Sequence, residues 1–343
     1  MNQISSAAAL SVMIVCMCQA SCTSHGPGEG AANEVANEKA HSKVDTVSRM
    51  KSTAAPSLDE LRAASYRGVY DTAVTLNNGE YLGKPYVEGG AARPRLSLVE
   101  GFYLIGELTQ ADDTRAGGGT AGDPGANESA AVLLAEQAAG SGTRIYLAIV
   151  GRDATSLPIN LGTALLGDRV QIINGRISDR GVDLRLVRAG PGDPACCPGE
   201  VVDTRWQLVD GSLVRQRDEI TGRLSVDEWS GQIWRLQSLD GERSMIGDAR
   251  ITLRLDDRRL AGHSGCNNYF AGIEAGAGPG EVSVGMLAGT RMACEPPIME
   301  LETAYLQTLQ SATRFSFLAG QLALSSVGTD GTVRTLLFTR TSE

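Results

Sequence analysis

The chain has 343 residues, 41 of them Gly, with 42% in the hydrophobic set and 5% aromatic, a length that at about 100 to 200 residues per domain suggests roughly two folded parts. Lys and Arg number 31 against 40 Asp and Glu, a formal net charge of -9, which removes the basic footprint that phosphate backbones require and argues against nucleic acid as a partner. A Gly share above the ~7% average, with so few aromatics, predicts many turns and short strands, hence a mostly antiparallel β protein of the α+β class.

Ala7 to Met17 form an apolar run broken only by Ser11, shorter than the ~20 residues needed to cross a bilayer as a helix. Residues 1–21 therefore read as an export signal peptide. The end of that segment, Gln19-Ala20-Ser21-Cys22, resembles the bacterial lipoprotein box, with Gln where a Leu is usual. The resemblance implies lipidation of Cys22 and a membrane partner through the N-terminal lipid. It also implies a place in the cell envelope facing the periplasm, with the outer membrane favoured over the inner. Acyl chains contribute ~0.8 kcal/mol per buried methylene, so more than one chain gives lasting attachment.

Residues 22–59 are rich in Ala, Glu, Asn, Ser, Gly and Lys with scarcely an aliphatic side chain, and this composition predicts a disordered tether. At ~3.5 Å per residue it reaches on the order of 120 Å when fully extended. His25 and His41 fall in it and read as solvated.

Residues 60–222 form the first β-rich region. Gly68 to Leu76 and Glu80 to Leu82 flank Asn77-Asn78-Gly79, a strong hairpin signal. Further strands are expected at Arg95 to Val99, Tyr103 to Leu108, Ala130 to Ala135, Thr143 to Val150, Arg169 to Ile173 and Val182 to Val187, with a long Gly-rich loop over Ala111 to Glu128. Asn174-Gly175 is expected to turn the chain between Val170–Ile173 and Arg176–Ile177. Tyr66 to Gly83, Leu165 to Ile172 and Gly192-Asp-Pro-Ala-Cys196-Cys197-Pro198 resemble a family of secreted bacterial domains of the LppP/LprE kind. Relatives carry an acidic loop where this chain has Asp123, Asn127 and Glu128, too few oxygen ligands for the six to eight, roughly, that calcium takes. Cys196 and Cys197 fit a structural disulfide in an oxidising compartment, and alternatively a soft-metal or redox-active pair.

Residues 229–341 form the second β-rich region. Gly231 to Leu236 opens it, and Ile251 to Leu255 follows as a strand with Ile251, Leu253 and Leu255 on one face. Asp256-Asp257 read as exposed turn charges before Arg258-Arg259. Pro296-Pro297 starts a helix whose apolar stripe is Ile298, Leu301, Tyr305, Leu309 and Ala312. Strands at Arg314 to Leu318, Gln321 to Leu324 and Val333 to Thr339 close the sheet. Gly265-Cys266-Asn267-Asn268-Tyr269 and Thr290-Arg291-Met292-Ala293-Cys294, in this order over about 110 residues, resemble the META domain of the HslJ family. That resemblance implies an antiparallel sheet packed on one helix. Cys266 and Cys294 are the pair expected to bridge, which by constraining the unfolded chain contributes about 2 to 4 kcal/mol. A zinc site from His263, Cys266 and Cys294 lacks a fourth ligand.

The three His, two of them in the tether, leave only His263 for a catalytic triad, and no Gly-x-Ser-x-Gly elbow lies between a strand and a helix. No Lys follows Lys84, so a phosphate-cradling loop with Lys is missing from the later chain. The sequence points to a non-catalytic envelope protein without cofactor or metal, in a binding or envelope-stress role, with an envelope protein or peptide as partner. One alternative is a thiol or metal-binding protein using Cys196, Cys197, Cys266 and Cys294. Another is a peptide-binding or inhibitor module acting by strand addition at an open sheet edge.

Overall fold

Ala130 to Ala135 and Ile145 to Val150 are apolar at nearly every position instead of every second one, the pattern of strands covered on both faces. The computed structural model describes residues 54–108, 128–138, 140, 142–194, 196–242, 249–328 and 330–341. It begins with α1 (Leu58–Leu61) and a two-stranded pair, β1 (Ser65–Tyr66) with β2 (Val74–Thr75). There follows an antiparallel five-stranded sheet of β3 (Glu80–Leu82), β4 (Arg95–Glu107), β5 (Glu128–Gln137), β6 (Arg144–Arg152) and β7 (Pro158–Asp168), in that order. A four-stranded sheet comes next, built from β8 (Gln171–Ser178), β9 (Gly181–Arg188), β10 (Glu200–Val209) and β11 (Ser212–Arg223).

The two sheets share a core. Ala131, Leu133, Leu147 and Ile149 face Val182, Leu184, Leu186, Val202 and Trp206, while the alternate residues Ala130, Val132, Leu134, Ala148 and Val150 face Leu61, Tyr66, Val74 and Leu76. The N-terminal elements are thus the second cover of β5 and β6. They are held by Ser57, whose amide donates to Glu60 Oε2 (2.8 Å), and by Arg152, which donates to both oxygens of Glu60 at 2.8 Å.

After a short 3-10 turn, Val226–Trp229, the chain builds its third sheet. Its strands are β12 (Ile233–Leu239), β13 (Thr252–Asp256), β14 (Arg259–His263), β15 (Asn268–Ala275), β16 (Val282–Val284) and β17 (Ala288–Gly289), then α2 (Pro296–Gln310), then β18 (Arg314–Leu318), β19 (Gln321–Val327) and β20 (Val333–Arg340). The order is β16-β15-β14-β13-β12-β20-β19-β18, with β17 on β15. Its two ends meet, because the Phe315 amide donates to the Gly280 carbonyl (2.7 Å) and the Val282 amide to Thr313 (3.0 Å). The sheet curls around α2, whose Leu301, Tyr305 and Leu309 are buried against it while Ile298 is half-buried. Prolines at the first helical positions suit the start of α2, where the missing amides would have no helical acceptor.

The two larger cores interlock across residues 222–229. Ile173, Val187 and Val201 belong to the C-terminal core, Ala319 belongs to the core of the first region, and the Phe317 amide donates to Gln171 Oε1 (2.9 Å). Arg185 of β9 grips both oxygens of Glu228 at 2.8 and 2.9 Å.

Several expected elements differ. Arg95–Val99 and Tyr103–Leu108 are one strand, β4, irregular between Leu98 and Tyr103. Strands β7, β10 and β11 are additional. Only Val74–Thr75 of Gly68–Leu76 is strand, because β2 pairs with β1 and β3 with β4. The Asn78-Gly79 turn, with both residues at positive φ, keeps only the Asn77–Glu80 bridge. Asn174-Gly175 does not turn: β8 runs through it with a register shift between Ile172 and Asn174. Gly175 is there for closeness, since a Cβ would come within 2.8 Å of Leu184 and 2.9 Å of the Phe102 ring. The reversal occurs at Asp179-Arg180, both at positive φ. The β13–β14 hairpin likewise turns at Asp257-Arg258, one residue later than Asp256-Asp257.

Gly175→Val should lower stability by about 1 to 3 kcal/mol by overpacking this core, read by urea unfolding. Replacing Asp179-Arg180 with Asn-Gly should hold or raise stability, because that dipeptide prefers positive φ at both positions. A turn at 174–175 would predict the reverse ranking. Acid should also loosen the N-terminal cover. Hydrogen bonding to Arg152 holds the Glu60 carboxyl at about 2, below its ordinary 4.5. Its stabilisation is therefore full above pH ~4.5 and is lost as pH falls through about 2. Amide exchange at Leu61 and Arg62 should quicken over that window in the wild type and not in Glu60→Gln.

Candidate functional site: the Asn267 bridge and the two cysteine pairs

The loop from Ser264 to Asn267 turns sharply between β14 and β15, with Gly265 at φ +107, a conformation that other residues adopt only with strain. Gly262, just before it, lies where a Cβ would collide with the Thr252 carbonyl and the Tyr269 hydroxyl. The Tyr269 hydroxyl donates to that carbonyl (2.9 Å) and accepts from Tyr305 of α2 (2.6 Å). Burial pushes both phenols upward, so this buried pair stays neutral.

Asn267 is the hub of this corner. Its Oδ1 accepts from the Thr290 hydroxyl (2.8 Å) and the Met292 amide (2.7 Å), and its Nδ2 donates to the Met292 carbonyl (3.3 Å) and to Glu302 Oε2 (3.0 Å). Its own amide donates to Glu302 Oε1 (3.0 Å). The Ser264 hydroxyl shares its proton between the Asn267 carbonyl and Glu302. Beside it a disulfide joins Cys266 to Cys294, with Cα atoms 6.0 Å apart. Two loops and the first turns of α2 are thereby fixed together. Every polar atom of the Asn267 amide is spent inside the protein, so its direct product is shape.

The motif residues differ in role. Thr290 also accepts from the Asn268 amide (3.2 Å), Met292 contributes its backbone while its side chain is 56% exposed, and the Asn268 side chain faces solvent. His263 Nδ1 lies 3.1 Å from the Arg250 carbonyl and 3.2 Å from the Gly265 amide, and the two cysteines near it are bonded to each other. Among the described residues no cluster of three or more His, Cys, Asp or Glu is arranged to hold a metal. Glu302 is the site residue that the motif reading passed over. Its signal was an acid set between Ile298 and Tyr305 in the apolar stripe of a helix.

The second pair, Cys196 and Cys197, is bonded within the loop between β9 and β10, away from Asn267 and next to Arg314 of β18. Cys22, Asp123 and Asn127 lie outside the described residues. Glu128 begins β5 and its carboxylate accepts from the Ala55 amide (3.4 Å).

Two further surfaces bear on binding. A shallow recess of about 580 Å³ runs along α2, lined by Pro296, Met299, Glu300, Thr303, Ala304 and Gln307. Strand β11 has a free edge, but two bulges interrupt its register with β10, and Arg215, Arg217, Asp218 and Glu219 crowd it. Both features discourage an added strand.

Residues 227–343, the segment that holds the curled sheet, α2 and the Asn267 corner, match the META domain family. Two solved structures are similar to about a third of the chain. One, an NMR structure of a protein from Burkholderia xenovorans, is 28% identical, with 34% of this chain and 86% of that chain covered and a TM-score of 0.28. Another NMR structure is 20% identical, covering 34% of this chain and 94% of its own, also at 0.28. No curated protein matches. By the family model, residues 227–343 are a META domain.

Asn267→Ala should cost about 2 kcal/mol, because it strips partners from the Thr290 hydroxyl, the Met292 amide and carbonyl and the Glu302 carboxylate at once. Asn268→Ala should stay within about 0.5 kcal/mol of wild type. Denaturant unfolding of both variants checks the distinction between these neighbouring motif positions.

Proposed function

We propose that this protein is an exported, lipid-anchored component of the bacterial cell envelope that acts by binding in a stress-related role and performs no catalysis. Cys22 carries the lipid, residues 22–59 serve as tether, and the META domain and the β-rich region before it face the periplasm. The observation that carries this reading is the state of the cysteines. All four among the described residues, Cys196, Cys197, Cys266 and Cys294, are in disulfides, which persist in oxidising compartments and are rare in a reducing cytosol.

The remaining features fit. The apolar run Ala7–Met17 followed by Ala20-Ser21-Cys22 gives an export route and an attachment point. No described helix is long and apolar enough to cross a membrane. The net charge of -9 leaves an envelope protein or peptide as the favoured partner class over nucleic acid. The Asn267 network satisfies itself and so supports a scaffold role for the motif.

Fractionation of the full chain expressed in a Gram-negative host tests the anchor. Wild type should sediment with membranes and partition into detergent, and Cys22→Ala should appear in the soluble periplasmic fraction. A Cys22→Ala protein that still sediments with membranes would overturn the lipid anchor.

A further inference from the structure

The Cys196–Cys197 pair differs from Cys266–Cys294 in three properties that bear on disulfide lability: the exposure of its first cysteine, the loop it closes and the charge beside it. Its loop is pinned without help from the sulfurs. Asp193 Oδ2 accepts from the Gly190 and Gly199 amides at 2.7 and 2.9 Å, and its other oxygen meets Arg223. Pro198 and Gly199 are buried, whereas Cys196 is exposed and Cys197 half-exposed. Cys266, by contrast, is only 3% exposed.

Adjacency in sequence sets the second difference. Neighbouring residues on a trans peptide hold their Cα atoms 3.8 Å apart, shorter than the span of about 4.4 to 6.8 Å that ordinary disulfides occupy. Closing this bridge therefore restrains no long loop. Exposed bridges of that kind are the labile ones.

The third difference is charge. Arg314 Nη1 is 3.2 Å from Cys197 Sγ, nearer than Arg314 Nη2 is to Glu281 Oε1 at 3.6 Å. The other charged groups around the loop are matched among themselves, Asp193 with Arg223 and Glu200 with Arg188. Arg314, which also pairs with Glu281, is the charge that meets the sulfur.

We propose that Cys196–Cys197 is a thiol–disulfide exchange site for an external dithiol, with Cys196 the attacked sulfur, Cys197 the leaving group and Arg314 its charge partner. An incoming thiolate bonds to Cys196 Sγ as the bond to Cys197 breaks, and the electron pair passes to Cys197 Sγ beside the guanidinium. The second sulfur of the dithiol, losing its proton, attacks the first and releases Cys196. Both cysteines end as thiols with the two protons of the dithiol, which leaves as a disulfide. The site needs only the folded residues and is independent of lipidation at Cys22. An envelope protein so equipped would register the thiol balance around it.

The full-length oxidised protein is incubated natively with graded dithiothreitol, trapped with N-ethylmaleimide, and mapped by peptide mass spectrometry. Cys196 and Cys197 should label at dithiol concentrations at least tenfold below those that label Cys266 and Cys294. Labelling of both pairs together, or of Cys266 and Cys294 first, overturns the proposal. Arg314→Gln should slow reduction at least about threefold, since a less stabilised thiolate leaves more slowly, and Arg314→Lys should retain most of the rate. A second readout does not depend on how β18 tolerates substitution. In Cys196→Ser, alkylation of Cys197 by iodoacetamide should reach half its maximal rate at least one pH unit below the ordinary cysteine value of about 8.5. A midpoint at or above that value overturns the role of Arg314.

Discussion

Strands β5 and β6 bury both of their faces, and most of the architecture follows from that constraint. A sheet apolar on both sides has no surface to offer water, so it must be sandwiched. One cover comes from β8–β11, whose Val182, Leu184, Leu186 and Trp206 fill the inner core; the other comes from α1, β1 and β2, which supply Leu61, Tyr66 and Val74. The second cover is short, and its buried Leu61, Tyr66, Val74 and Leu76 are joined by an ion pair in holding it, since Arg152 reaches from β6 to both oxygens of Glu60. With the four-stranded sheet fixed, Ile173, Val187 and Val201 become available to the C-terminal core, and the two halves of the folded chain share apolar surface.

The META domain solves a different problem. Its sheet curls until its ends meet around one helix, and a curled sheet needs its corner loops held in place. Asn267 does this by mimicking a strand neighbour: one side-chain amide offers both an acceptor and a donor, and it pairs with the backbone of Met292 on both. Glu302 then joins the same corner to the helix. A buried network of this kind is stable only because each member is satisfied, since an unpaired group there would cost more than the bond returns.

The two disulfides divide the same chemistry between different jobs. Cys266–Cys294 closes a separation of 28 residues beside that network, where it restrains the unfolded chain and its Cys266 end is buried. Cys196–Cys197 closes a separation of one, in an exposed loop already pinned by Asp193, so its presence adds little restraint and its loss would disturb little. Local geometry sets the contrast.

The sequence by itself determined the β-rich class, the C-terminal helix with its buried stripe, and the META signature. These depend on local period and on short motifs, which a single segment carries complete. It also placed strands at Ala130 to Ala135 and Thr143 to Val150, without saying what covers either of their faces. Only the tertiary structure decided that Gly175 packs against Phe102 instead of turning, because a glycine chosen for close approach and one chosen for positive φ look alike until the neighbour is known. The same holds for β10 and β11, whose outward charges pair across strands, and for Glu302, an acid whose partner lies 35 residues away in sequence. Long-range pairing is set by where the chain comes back to itself, and no window of sequence records that.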